Sequence, residues 1–204
     1  MSLFLKILLV AVSSYLIGSI PSSYVMGRLL RRIDLREHGS GNLGAANTFR
    51  VLGLKAAIPV LVFDVGKGFV AVWYLSRLGG PETAFALLAA FAVVIGHNYS
   101  VFVGFSGGKG VGTTAGAFVA LAPTALGICL ALWIVTLLVS RIVSVASMVS
   151  AAFLPFSILI SNRFLGSSVH YSVTLLACVV AAVVFVKHRP NIRRLREGTE
   201  KRIF

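Results

Sequence analysis

The sequence predicts an all-α polytopic membrane protein, and three observations lead there. Apolar residues make up 57% of the 204-residue chain, above the roughly 45–50% of soluble domains. Charged residues make up only 12% of a 21.7 kDa chain whose mean hydropathy is +0.93, too few to cover a soluble surface. The apolar residues also fall in runs of about 20, the length that crosses a bilayer as a helix. The same composition excludes a soluble globular enzyme, a disordered chain and a coiled coil.

Residues 4–27 form the first candidate span. No small-residue cleavage pattern follows its apolar run, and Gly18–Pro21 leads into more apolar chain, so it is a span rather than a signal peptide. Residues 28–50 are polar and glycine-rich. Residues 52–75 form a second span and hold Asp64 and Lys67, three positions apart and able to pair on one helix face. Gly79-Gly80-Pro81 marks a turn. Residues 83–103 form a third span, followed by the loop Ser106–Gly110. Residues 111–140 are a long apolar run containing Pro123. Arg141 interrupts it, and residues 142–160 continue. Ser161–Ser168 is a turn, residues 169–186 form the last run, and a basic tail begins at Lys187. Cys129 and Cys178 both lie in apolar runs and are expected to be small buried hydrophobes, not a disulfide or a metal pair.

Charge sets the expected topology. The chain has 19 Lys and Arg against 6 Asp and Glu, a net charge of +13. Nucleic-acid binding would use such a surplus, but membrane proteins collect Lys and Arg in cytoplasmic loops. Two basic blocks stand out, Arg28–Lys55 and Lys187–Arg202. If the long run breaks at Pro123 into two short helices, the chain has seven spans and both blocks share the cytoplasmic side. Lys109 and Arg141 then join them, and the N-terminus lies outside. We expect this arrangement, as a single membrane domain over residues 1–204 with no internal repeat. Residues 28–50, the loop at 104–114, the Arg141 turn and the tail would then converge on one membrane face.

Three of those segments can bear chemistry. In the first, Gly39, Gly41 and Gly44 match Gly-x-Gly-x-x-Gly. Its flanks are membrane helices, so a dinucleotide fold is excluded. The glycines can still let backbone N–H groups approach an anion. Asn47 and Arg50 would face one side of a helix starting there. A flexible juxtamembrane loop would show the same residues.

The second segment runs from Gly96 to Thr114 and includes His97, Asn98, Gly107, Gly108, Lys109, Gly110, Thr113 and Thr114. It faintly resembles a P-loop, but Val103 and Gly110 occupy positions where that pattern needs Gly and Ser or Thr. ATP hydrolysis is not expected. A glycine loop with a lysine at a helix start remains a suitable cradle for an anion. The competing account is helix-packing glycines with an interfacial lysine.

The third segment is the tail. Its basic residues suit anionic lipid, yet His188, Asn191 and Glu200 are not needed for anchoring and can orient a polar substrate. Ser144 and Ser147 start a span beside Arg141 and would reach the same face. Asp64 and Lys67 are either functional or a structural ion pair.

These segments describe a cationic, donor-rich site at a membrane surface, suited to a phosphorylated substrate whose other part is lipid. No Gly-x-Ser-x-Gly occurs, no histidine has an aspartate five positions on, and no metal-ligand spacing is present. Catalysis would rest on positioning and charge stabilisation. Neither His97 nor His188 has an orienting carboxylate nearby in sequence.

The strings GSGNLGAANTFR, GHNYSVFVGFSGGKGVGTTAG and HRPNIRRLREGTE closely resemble, in order and separation, the three motifs of the bacterial acyl-phosphate:glycerol-3-phosphate acyltransferase family. The resemblance covers nearly the whole chain. It implies a seven-span enzyme of the bacterial inner membrane. That enzyme moves a fatty acyl group from acyl phosphate to the 1-hydroxyl of glycerol 3-phosphate, giving lysophosphatidic acid and inorganic phosphate, the first acylation of phospholipid synthesis. It implies no metal or other cofactor. The partners are membrane lipid and the soluble enzyme that forms acyl phosphate; nucleic acid is not one. By motif position, Ser40, Arg50, Lys109, His97 and His188 are the expected catalytic residues. Gly39, Gly41, Asn42, Asn47, Asn98, Gly107, Gly108, Gly110, Thr113, Thr114, Ser147, Asn191 and Glu200 are expected to hold substrate or its phosphate. Ala46 departs from the family pattern, where Thr is common; a hydroxyl is lost and the loop N–H groups remain. Acyl phosphate is already activated, so the expected mechanism is substrate-assisted, with a phosphate oxygen taking the hydroxyl proton. A transporter for a phosphorylated metabolite and a lipid-phosphate phosphatase are the alternatives. The first would place its site at the midplane between repeats, and the second needs a nucleophile or a metal cluster.

Overall fold

A computed structural model describes residues 1–203, all helix and loop, with no strand among them. The helices are α1 (Leu3–Ser19), α2 (Ser22–Arg31), α3 (Ala45–Leu52), α4 (Leu54–Trp73), α5 (Thr83–Asn98), α6 (Val111–Leu121), α7 (Pro123–Ser140), α8 (Val143–Phe164), α9 (Tyr171–Lys187) and α10 (Arg189–Arg196). Short 3-10 turns follow α4 at Leu75–Leu78 and α5 at Val101–Val103.

Five stretches are long and apolar enough to cross a membrane: Leu3–Arg31, Leu54–Leu78, Thr83–Val103, Pro123–Ser140 and Val143–Phe164. The pair α9 and α10, bent by 56°, makes a sixth if counted as one span. The expected break at Pro123 is present: α6 stops at Leu121 and α7 starts on the proline, which fits a first helical turn because it has no N–H to leave unpaired. A count of seven therefore depends on α6, an apolar helix of 11 residues. At 1.5 Å per residue it is about 16 Å long, against a hydrocarbon core of about 30 Å.

Several boundaries differ from those expected of the sequence. Residues 28–50 are not one loop, because α2 continues to Arg31 and α3 begins at Ala45. The third span, by contrast, keeps its expected bounds at Thr83–Val103, with α5 to Asn98 and a 3-10 turn completing it. The turn expected from Ser161 starts only after Phe164. The tail folds as α10, with Pro190 in its first turn. Cys129 is buried as expected, but Cys178 is exposed. In a membrane the exposed face of a helix is apolar, so an apolar run does not specify burial. Leu130, Ile134, Leu138 and Val139 on α7 are exposed for the same reason.

The chain divides into two compact units, Met1–Ala120 and Leu121–Phe204. In the first, helices meet through small residues, as lipid-embedded helices do when close backbone approach replaces the hydrophobic driving force. A Cβ at Gly18 would overlap the Val93 carbonyl, and one at Gly96 the Tyr15 carbonyl, so α1 and α5 touch backbone to backbone. Gly68 and Gly116 do the same for α4 and α6. In the second unit α7 packs on α8 and α8 on α9, with Ala125, Ala146 and Ala177 fully buried.

Candidate active site

In the first unit the chain leaves α2 through Arg32, whose left-handed backbone (φ 56°) reverses its direction. Asp34 organises the segment between α2 and α3. It accepts hydrogen bonds from the Arg36 backbone N–H (2.9 Å) and from Arg36 Nη2 (2.6 Å), with Arg28 Nη2 at 3.7 Å. The Arg36 hydrogen bonds hold the Asp34 carboxyl below its ordinary range, against the opposing effect of burial. Arg36 Nη1 then donates to the Val103 carbonyl (3.1 Å), and Leu35, Leu43 and Val103 form a buried apolar cluster. The first and second motifs are thereby joined at one end of this unit.

Asn47 is the staple of the first motif. Its Oδ1 accepts from the Ser40 backbone N–H (2.7 Å) and Ser40 Oγ (3.1 Å). Its Nδ2 donates to the carbonyls of Leu35 (3.0 Å) and His38 (3.0 Å). It is buried and its hydrogen-bonding capacity is spent on the loop, so it shapes the Gly39–Gly44 turn. Gly39 and Gly41 take the left-handed conformation there, at φ 66° and 71°. Thr48 Oγ1 lies 2.8 Å from Ser23 Oγ and fixes α3 to α2. Asn42 and Arg50 are half-buried.

The second motif wraps the end of α5. His97 and Asn98 are buried. The Gly108 N–H donates to the His97 carbonyl (3.0 Å). A Cβ at Gly107 would strike that carbonyl, and one at Gly108 would strike His97 Nε2 and lie 2.6 Å from the Leu43 carbonyl oxygen. Only glycine lets the loop lie this close to α5 and to the first motif. Lys109 is half-buried beside it. Gly110, at φ 80°, turns the chain into α6, whose first intrahelical bond runs from the Thr114 N–H to the Gly110 carbonyl (2.7 Å). The N–H groups before it are the positive end of the helix. The Thr113 and Thr114 hydroxyls are buried there with no hydrogen-bond partner among the described residues.

Beneath this loop lies a charged cluster. Asp64 Oδ1 is 2.8 Å from Lys67 Nζ, accepts from Ser22 Oγ at 2.8 Å, and stands 3.5 Å from His97 Nδ1. Lys67 Nζ also donates to the Ile20 carbonyl (3.1 Å). The pairing of Asp64 with Lys67 follows from their spacing. The carboxylate beside His97 does not, because it comes from another helix. A cavity of about 10 Å³, the size of one water, lies between this cluster and the loop, lined by Ser19, Ser22, Leu43, Lys67, His97 and Gly108 among others.

In the second unit the third motif gathers around Glu200. Its Oε1 accepts from Asn191 Nδ2 (2.6 Å) and Ser144 Oγ (2.8 Å), and its Oε2 from Arg194 Nε (2.6 Å). Burial opposes ionisation of Glu200, but these three donors outweigh it and hold the carboxyl below its ordinary value. The Ile203 N–H donates to the Arg141 carbonyl (2.8 Å), so the tail is bound to the turn between α7 and α8. His188 is buried, with Nδ1 2.7 Å from the Val184 carbonyl. Ser147 Oγ accepts from Trp133 Nε1 (3.3 Å). Among the described residues, no group of three or more His, Cys, Asp or Glu side chains is placed to hold a metal ion.

The glycerol-3-phosphate acyltransferase family model matches residues 8–198. The chain belongs to that family. Glycerol-3-phosphate acyltransferase 2 of Moorella thermoacetica is 44% identical over 196 residues, covering 96% of this chain and 97% of the relative. The glycerol-3-phosphate acyltransferase of Chlorobium luteolum is 39% identical, covering 98% and 97%. The crystal structure of PlsY (YgiH), an integral membrane glycerol 3-phosphate acyltransferase, in its glycerol 3-phosphate form, superposes with a TM-score of 0.88. It is 33% identical, and the match covers 97% of this chain and 96% of that one. Its lysophosphatidic acid form gives a TM-score of 0.86 at 32% identity, over 97% and 95%. The three sequence motifs therefore identified the family correctly, and the chain is an integral membrane acyltransferase of that family.

Proposed function

We propose that this enzyme transfers a fatty acyl group from acyl phosphate to the 1-hydroxyl of glycerol 3-phosphate. The products are lysophosphatidic acid and inorganic phosphate. One observation carries this reading above the others. At one end of the first unit, the Gly107–Gly110 loop with Lys109, the start of α6 and the buried, unpartnered hydroxyls of Thr113 and Thr114 lie together, fastened to the first motif through Arg36 and Leu43. Backbone donors, a cation and a helix N-terminus at one place suit phosphate oxygens. The bound ligands named for the two PlsY structures, glycerol 3-phosphate and lysophosphatidic acid, are a phosphate-bearing acyl acceptor and its acylated product.

In this reading Lys109, Arg50, Ser40 and the loop N–H groups hold and orient phosphate. Asn42, Asn98 and the glycines shape the loops that present those groups, and Asn47 fixes the turn bearing Ser40. In the second unit, His188, Asn191 and Glu200 of the third motif, and Ser147, are assigned to holding substrate. The acceptor hydroxyl oxygen attacks the acyl carbonyl carbon and an ester C–O bond forms. The C–O bond to phosphate breaks, and inorganic phosphate departs with its electron pair. A phosphate oxygen of a substrate takes the hydroxyl proton, so no covalent enzyme intermediate is needed. Charge developing on the carbonyl and departing phosphate is stabilised by donors already in place. The family match runs through both units, which supports treating residues 1–204 as one catalytic domain. The bacterial relatives support an inner-membrane location. The use of acyl phosphate makes a soluble enzyme that forms it the upstream partner in this reading.

The test uses purified protein and synthetic acyl phosphate. Phosphate release should require glycerol 3-phosphate and match lysophosphatidic acid formation one for one. Release without the acceptor would indicate a phosphatase. Movement of glycerol 3-phosphate across a vesicle membrane without acyl phosphate consumption would indicate a transporter. Either result would overturn the proposal.

A further inference from the structure

Asp64 has no part in the reaction as described, yet it is among the most enclosed groups of the first unit. Its side chain is 4% exposed, and Lys67 and His97 beside it are 2% and 7% exposed. A buried pair of opposite charges contributes little net stability when the desolvation of both is counted. A purely structural α4 would be served as well by two apolar residues. The third member gives the pair a use. Lys67 Nζ and Ser22 Oγ hold the carboxylate from two sides, both at 2.8 Å from Oδ1. The same oxygen faces His97 Nδ1 at 3.5 Å, a charge contact at the long edge of hydrogen-bond geometry. The opposite edge of the ring, at Nε2, lies directly under Gly108. The imidazole thus stands between a fixed carboxylate and the glycine loop.

We propose that Asp64, braced by Lys67 and Ser22, is a positioning residue that acts through His97. It holds the ring with a proton on Nδ1, so that Nε2 supports the Gly107–Gly110 loop in its anion-holding shape. A histidine with two distinct nitrogens takes its tautomer from the partner of one of them. An ionised carboxylate accepts and cannot donate, so any hydrogen bond across this 3.5 Å contact is donated by Nδ1. Lys67 prevents the carboxylate from turning away and offsets its charge, so the ring orients against a fixed acceptor. The functional part of this inference rests on the acyl-transfer reading; the tautomer does not.

The experiment uses full-length protein in lipid nanodiscs with 15N-labelled histidine, His97 being assigned by its loss in His97→Gln. The chain has four histidines, which keeps the assignment tractable. Wild-type His97 should show a protonated Nδ1. In the Asp64→Leu, Lys67→Met double variant, which removes the acceptor and leaves no uncompensated buried charge, that signature should be lost or mixed. The kcat for acyl transfer should fall about 10-fold or more, the scale of a small misplacement of anion-holding groups. Adding His97→Gln to the double variant should bring little further loss, because both changes act on one element. Neutral wild-type His97 protonated only on Nε2 would overturn the proposal without recourse to any variant. So would an unchanged His97 spectrum in the double variant, or losses that multiply with His97→Gln. The spectra need no substrate, so failure of the acyl-phosphate reading would leave the tautomer test intact and be recognised separately.

Discussion

The polar end of the first unit and the tail of the second are built on opposite plans. In the first, the chemistry is in the backbone: Gly107, Gly108 and Gly110 are pressed against His97, Asn98 and Leu43, and side chains such as Asn47 serve to hold the turns. In the second, side chains do the joining, with Asn191, Ser144 and Arg194 converging on Glu200. The backbone plan offers a dense array of donors and tolerates no added atom. The side-chain plan has three donors on one carboxylate, so losing one leaves two. The first should therefore fail abruptly under substitution and the second by degrees.

The largest effect should come from Lys109→Ala, with a loss of at least ~100-fold in acyl transfer, the scale of removing one charge-stabilising donor. Phosphate release at saturating substrates measures it, and near-normal turnover would break the contrast. Gly108→Ala adds one carbon where His97 Nε2 and the Leu43 carbonyl already sit. It should lower the rate on the order of 10-fold through loop displacement, with the charge of Lys109 intact. Glu200→Gln should act more gently. An amide of the same shape keeps part of the network but loses its charged acceptor, at about 1.5–3 kcal/mol, read as a lower thermal midpoint and a few-fold loss of rate.

Acid sharpens the comparison. The folded pKa of Glu200 lies below its ordinary 4.5, so its contribution is fully present above that value. It is lost as pH falls through the lower folded value. The protection of the Thr199 and Ile203 amides, which donate to the Arg194 and Arg141 carbonyls, should fall over that acid range once the intrinsic pH dependence of exchange is divided out. Protection that stays constant as pH falls through that range would contradict the account. The smallest effect belongs to Arg193→Ala. Arg193 and its partner Glu197 are 81% and 47% exposed, and loss of such a surface pair should leave rate and melting temperature unchanged.

Much of this was legible in the sequence, and the rest was not for physical reasons. The break at Pro123 follows from proline's missing N–H and the length of the run. The Asp64–Lys67 pair follows from helical spacing. The three motifs could be read as loops because glycines and paired polar residues stand out in an apolar chain. The Asp64–His97 contact could not be read, because α4 and α5 are brought together by packing that no local pattern encodes. Asn47 looked like a ligand because an amide on a loop has the same chemistry whether it faces a substrate or its own backbone. The exposure of Cys178 is not legible in an apolar run, because lipid removes the penalty that makes such runs point inward. The α10 helix was hidden by its charge, since the run from Arg189 to Arg196 also reads as a lipid-binding tail.

The central claim is that the glycine-lined, cationic end of the first unit holds a substrate phosphate. A structure of this protein with glycerol 3-phosphate and a non-hydrolysable acyl phosphate analogue tests it most directly. The account predicts phosphate oxygens of one or both ligands within hydrogen-bond distance of Lys109 Nζ and of the N–H groups that open α6. Both phosphates bound with no contact to Lys109, the Gly107–Gly110 loop or the start of α6 would contradict it.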